Sequence, residues 1–182
     1  MEQASAKKTE SAPEPVDPPL SRFGVRQAFD LIDLLSSFGV ARAFASPAAR
    51  SRQSLTPWAS MGGGSVTLVE SLDLAASGPD AQVDAEARLG RVRAFAAERL
   101  REHAAPTVLS VTGSARDAII EEIRAYASAP VAGAEAPRLT RGQVLVAHVE
   151  HGPDGLVVAA LETHGVTTKN PAAHARRGNK RH

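Results

Sequence analysis

The sequence predicts an α/β domain, a three-layer α/β/α arrangement with a mainly parallel sheet that ends in a β-hairpin. Three observations predict it. Short apolar runs at Val40–Ala45, Val66–Val69 and Thr107–Val111 alternate with longer segments whose apolar residues recur at helical spacing. Alternation of this kind buries a parallel sheet between two helical layers. Two further apolar runs near the end flank His151-Gly152-Pro153-Asp154-Gly155, a hairpin signal. With 43% hydrophobic residues in 182, the chain can bury one substantial core.

The elements follow in order. Residues 1–19 are polar and carry Pro13, Pro15, Pro18 and Pro19, so they read as a disordered arm before a domain spanning 20–164. Ser21 is placed to cap a helix that runs through Phe38, with Val25, Ala28, Leu31, Ile32 and Leu35 on one face and Gly39 as its stop. Val40–Ala45 is strand-like, and Ser46 or Pro47 opens a second helix reaching about Ala59. Met61-Gly62-Gly63-Gly64-Ser65 is a turn before a short buried strand, Val66–Val69. After Gly78-Pro79, Ala81–His103 places Leu89, Val92, Phe95, Ala96 and Leu100 on one helical face. Thr107–Val111 is a continuous apolar strand, Gly113-Ser114 starts a helix to about Tyr126, and Ser128–Pro137 is a loop. Gln143–Val149 and Leu156–Leu161 form the hairpin.

Composition narrows the chemistry. The absence of cysteine excludes disulfides and a thiol nucleophile, and leaves zinc without thiolate ligands. No apolar run approaches a membrane span and no signal-peptide segment follows Met1, so a cytoplasmic protein is expected. The tail, residues 165–182, holds five of the 21 Lys and Arg residues and no acid. The other 16 therefore stand against 20 acidic residues, and the folded body is net acidic. Without interleaved aromatics the tail reads as a solvated basic extension, and nucleic-acid binding is the minor reading. No metal site is expected, because His148 and His151 on one strand point to opposite faces. Gly62-Gly63-Gly64 lacks the Lys and Ser/Thr of a phosphate-binding loop and is a turn. Glu70, Asp73 and His164 are acid–base candidates whose partners the sequence does not fix.

Ser46-Pro47-Ala48-Ala49-Arg50-Ser51-Arg52-Gln53-Ser54 carries the main functional signal. A strand–turn–helix junction sets an arginine beside free backbone N–H groups, and both favour an anion. Gly113-Ser114 opens a helix in the same way, with Ser114 a candidate N-cap. The pattern S-P-x-x-R-x-x-Q-[ST] resembles a phosphate-clamp element of the histidine phosphatase, or phosphoglycerate mutase-like, superfamily. Pro19-Leu20-Ser21-Arg22-Phe23-Gly24-Val25-Arg26-Gln27-Ala28 is similar to the P-L-[ST]-x-x-G-x-x-Q-A start of that family's first helix. The closing hairpin resembles the end of the phosphatase domain in actinobacterial proteins that join a Nudix hydrolase to a histidine phosphatase.

The resemblance implies a phosphoryl pocket at Arg50, Ser46, Gly113 and Ser114, with no cofactor. It also implies two histidines. One, in an R-H-[GA] motif after a central first strand, attacks phosphorus; the second, with two arginines, neutralises the transferring group. Laid against these motifs, the chain places Gln3 at the nucleophile, Glu2 at its arginine, Thr112 at the second histidine, and Leu74 or Ala75 at the acid. The expectation is a catalytically impaired domain that binds a phosphorylated small molecule or nucleotide, or serves as a scaffold. An active phosphomonoesterase whose start codon lies upstream is the alternative, and a nucleic-acid adaptor acting through the tail is a third. If the family's central strand is absent, its neighbours are left unpaired or forced together, and self-association is expected.

Overall fold

The computed structural model describes residues 17–74, 85–102, 105–135 and 137–165. Helix α1 (Arg22–Ser37) begins where Ser21 accepts a hydrogen bond from the Gly24 N–H at 3.1 Å. It ends at Phe38, beyond which Gly39 turns the chain with φ of 62°. Strand β1 (Arg42–Ala45) follows, then α2 (Ala49–Trp58). The second helix starts at Ala49 rather than at Ser46 or Pro47, because Ser46 and Pro47 make the turn that reverses the chain at the end of β1. Pro57 lies in its last turn, and the helix passes into a π turn, Ala59–Gly63.

Strand β2 (Val66–Leu68) and a 3-10 turn (Glu70–Leu72) lead towards α3 (Ala85–Arg101). Next come β3 (Thr107–Ser110), α4 (Gly113–Ala125) and a single turn, α5 (Ala129–Ala132). The chain closes with β4 (Gln143–Gly152) and β5 (Gly155–Gly165). The hairpin strands are longer than the apolar runs that announced them, since cross-strand pairing continues through polar residues to Gln143↔Gly165.

β1 is the centre of a three-stranded parallel sheet in the order β2-β1-β3, with Ala43 opposite both Val66 and Val108. Side chains alternate across it as strand geometry requires. Ala43, Ala45, Val66 and Val108 pack with Leu35 of α1 and Leu55 and Trp58 of α2. Phe44 and Leu109 face the other way, onto Val92 and Ala96 of α3 and Ala115, Ala118 and Ile119 of α4. Two helices thus cover each face, which is the three-layer arrangement that the alternation predicts. Because β1 is hydrogen-bonded along both edges, the described sheet has no vacant central slot.

One expectation is revised. β2 is an edge strand whose residues are not buried, Leu68 being about half exposed. The expected hairpin forms an antiparallel pair of its own. It is fastened at Val158, which is fully buried, accepts from the Ser128 N–H at 3.0 Å and donates to the Tyr126 carbonyl at 2.8 Å. One extra residue, Ala159, bulges out of β5 next to this anchor. No helix among the described residues is long and apolar enough to cross a membrane.

Candidate functional site

A parallel sheet with helices on both faces leaves a crevice where adjacent strands send their next helices to opposite sides. Here that place lies between β1 and β3. α2 leaves β1 to pack beside α1, while α4 leaves β3 to pack beside α3. The segments that flank the crevice are Ser46–Arg50 on one side and Thr112–Ser114 on the other, so the topology brings the two sequence-predicted anion elements to one end of the sheet.

The floor of the crevice is polar and tightly bonded. Ser46 is wholly buried; its N–H donates to the Ser110 carbonyl at 3.0 Å, and its hydroxyl receives the Ala48 N–H at 3.3 Å. The Ser46 and Ser51 hydroxyls lie 3.3 Å apart, and Ser51 is buried too. Ser110, at the end of β3, donates its hydroxyl to the Ser51 carbonyl at 2.9 Å. Each buried polar group therefore has a partner, as burial demands.

Arg50 is the second residue of α2 and is exposed. Its carbonyl receives the Ser54 hydroxyl at 2.8 Å, and among the described residues its guanidinium has no hydrogen-bond or ion-pair partner. Ala48, at the N-cap of α2, has no side chain with which to cap, and the cap comes from elsewhere. Both carboxylate oxygens of Asp17 lie 2.9 Å from the Ala49 nitrogen. Gln53, the glutamine of the S-P-x-x-R-x-x-Q pattern, accepts from the Leu20 N–H at 2.7 Å and fastens the same incoming segment.

Across the crevice, Thr112 occupies the N-cap of α4 without a side-chain hydrogen bond, so Ser114 is not the cap. Gly113 opens the helix with φ of 50°, a conformation costly for a residue with a Cβ. Thr112, Gly113 and Ser114 are all exposed. Arg116, one turn in, is engaged with Asp117 and with the Leu139 carbonyl at 3.2 Å.

The remaining candidates lie elsewhere. Leu74, a position aligned with the family's acid, packs against the core cluster of Leu72, Val92 and Ala96. Glu70 is exposed at the start of the 3-10 turn, and Asp73 donates its N–H to the Glu70 carbonyl at 3.0 Å. The three described histidines are on the hairpin and touch residues that lead into the strands, not residues that leave them. His148 and His164 present their rings to Phe38, which precedes β1, and His151 Nε2 lies 2.8 Å from the Leu100 carbonyl at the end of α3.

Glu162 bridges the first two histidines. It is 2.7 Å from His148 Nε2 and 3.2 Å from His164 Nε2, and the His148 hydrogen bond holds its carboxyl below the ordinary glutamate value. No group of three or more His, Cys, Asp or Glu among the described residues is arranged to hold a metal ion. A shallow depression of about 420 Å³ opens at the far end of α2 between Ile32, Val40, Trp58 and Met61, and no ionisable side chain lines it. Gln3, Glu2, Ala75 and the basic tail beyond Gly165 lie outside the described residues.

No protein-family model matches the chain, and no curated protein matches it in sequence. Among solved structures it resembles mycobacterial glucosyl-3-phosphoglycerate phosphatase. The form with inorganic phosphate aligns over 60% of this chain and 70% of that one, at 19% identity and a TM-score of 0.47. The form with VO3 aligns over 60% and 71%, at 20% identity and a TM-score of 0.48. A structure described as mycobacterial hydrolase 2 aligns over 91% of this chain and 88% of that one, at 15% identity and a TM-score of 0.55. At such identities the likeness concerns the fold. The fold shared with that hydrolase is a mixed α/β one with a parallel sheet and a closing antiparallel hairpin. Within that fold, β1 and the head of α2 are the elements that carry the S-P-x-x-R pattern, and the sequence missed Asp17, Ser51 and Ser110 as parts of the same corner. Ser110 had left one signal, a hydroxyl inside the otherwise apolar run Val108–Val111.

Proposed function

We propose that this histidine-phosphatase-like domain binds a phosphorylated ligand at the crevice between β1 and β3 and does not turn it over by phosphohistidine chemistry. The carrying observation is a separation of parts. The head of α2, with Arg50 in its first turn, stands at the ends of the parallel strands, whereas the described histidines contact residues at the strand beginnings. Helix geometry leaves the Arg50 and Ser51 N–H groups without intrahelical acceptors, so donors and a cation converge there. Thr112 offers one hydroxyl across the crevice and no charge with which to neutralise a transferring phosphoryl group.

Two measurements test the reading together. Inorganic phosphate should bind the full chain, and Arg50→Ala should weaken it about tenfold or more, since a charge-assisted hydrogen bond is worth about 1.5–3 kcal/mol. Incubation with a generic phosphomonoester should give no release of phosphate above a buffer control. Turnover that Arg50→Ala abolishes would overturn the non-catalytic part, and phosphate binding that ignores Arg50→Ala would overturn the site.

A further inference from the structure

Helix α1 keeps one long face exposed, and the residues on that face are arranged as their own complement. We propose that two copies of this chain pair through it, with their α1 helices antiparallel about a two-fold axis midway along the helix. Such a contact needs no vacant strand edge, since β1 is hydrogen-bonded along both of its edges.

Helical periodicity sorts the side chains of α1. Ala28 and Leu35 are buried, whereas Arg22, Val25, Arg26, Phe29, Asp30 and Asp33 are all exposed and share the opposite face. Val25 and Phe29, one turn apart, are 43% and 56% exposed and form its apolar edge. Ser36 continues that edge to the depression beside Trp58, where Met61 is exposed as well. Along the other edge the charges are segregated by sign, with Arg22 and Arg26 in the first half and Asp30 and Asp33 in the second. None of these four makes an ion pair among the described residues. Arg22 opens the helix, where the dipole favours an anion, so its own helix does not stabilise that charge. Turned end for end, a second α1 sets its Asp33 against Arg22, its Asp30 against Arg26 and its Phe29 against Val25, and the axis repeats each pair. Apolar edge meets apolar edge and charged edge meets charged edge, because the axis runs perpendicular to the plane of the two helices. A parallel pairing would set arginine on arginine and aspartate on aspartate. Self-complementarity of one face closes the association at two copies. A contact of one helix on one helix is small, so the dimer is reversible and concentration-dependent.

Sedimentation velocity of the full chain, from micromolar to millimolar protein, tests the pairing. The wild type should pass from monomer to dimer, and added salt should weaken the dimer, as opposed charges in contact require. Phe29→Ser removes an apolar side chain twice per dimer and should weaken it about tenfold or more. An acidic variant, Arg22→Asp with Arg26→Asp, and a basic variant, Asp30→Arg with Asp33→Arg, should each stay monomeric, and an equimolar mixture of the two should dimerise again. Recovery on mixing requires both variants to be folded, so it separates a lost contact from a lost fold. A wild type that stays monomeric throughout would overturn the proposal, as would a dimer that salt strengthens. So would a dimer that Phe29→Ser and both charge variants leave intact, or a mixture that fails to recover.

Discussion

Replacing Gly63 with alanine should strain the end of α2 that lies opposite the proposed anion site. A Cβ at Gly63 would fall on the Trp58 indole, overlapping Cε2, Cδ2 and Nε1. Carbon contacts settle at roughly 3.5–4.0 Å, so the ring has to move by an ångström or more. It has little room. Trp58 is only 2% exposed and packs against Leu35, Ala43, Ala45 and Leu55. Overpacking a filled core costs about 1–3 kcal/mol. For a chain of this size each kcal/mol is worth about 2–4 °C, so the melting temperature should fall by about 2–12 °C. Trp58 is the sole tryptophan, and its emission reports the same event directly: the variant should shift to the red as the indole meets water. Gly90→Ala, in the middle of α3 with nothing within 4 Å of the added carbon, is the control and should leave the emission unchanged. A Gly63→Ala protein that melts within about 1 °C of the wild type, with unchanged emission, would refute the packing of α2 described above.

Other consequences are read in the same way. Ser110→Ala removes the hydroxyl that donates to the Ser51 carbonyl and should destabilise by about 0.5–1.5 kcal/mol in urea unfolding; no change would mean that β3 and α2 are not tied at that point. Glu162 has its carboxyl held low by His148, so its contribution is present above the ordinary glutamate range and is lost as pH falls through the depressed value. Melting curves between about pH 6 and pH 3 should therefore decline less steeply for Glu162→Gln than for the wild type, and parallel curves would remove the His148–Glu162 contact from the account.

The sheet and its two helical layers were legible because each rests on a local period. Ala43 and Ala45 go to one face and Phe44 to the other by strand alternation alone, and Leu35 reaches Ala43 because α1 keeps its apolar stripe to the last turn. Ser21 was equally plain, since a cap acts on the residue three positions on. Boundaries were less so: α2 begins three residues after Ser46 because that hydroxyl is spent on the turn. The candidate site was half legible. Arg50 and Gly113 follow from strand–turn–helix punctuation, but Asp17 reaches Ala49 and Ser110 reaches Ser51 across 32 and 59 residues, and no period or spacing encodes such pairs. The hairpin shows the same limit, since the attachment of Val158 to Tyr126 and Ser128 depends on where α4 stops.

The bonding pattern also assigns different work to residues that the phosphate-clamp resemblance places in one pocket. Ser46 and Ser51 are buried and satisfied by each other, by the Ala48 N–H and by the end of β3, so they hold the turn from β1 into α2 in shape. A hydroxyl so engaged has little capacity left for a ligand, because any new acceptor displaces an existing bond of similar worth. Arg50 differs on each count: it is exposed, sits in the first turn of the helix, and has a guanidinium without a partner among the described residues. A ligand phosphate would thus gain new interactions chiefly from Arg50 and from the N–H groups that open α2, one of which Asp17 already holds. On the proposed reading, the serines build the corner, while Arg50 and the N–H groups that open α2 supply the contacts for an anion.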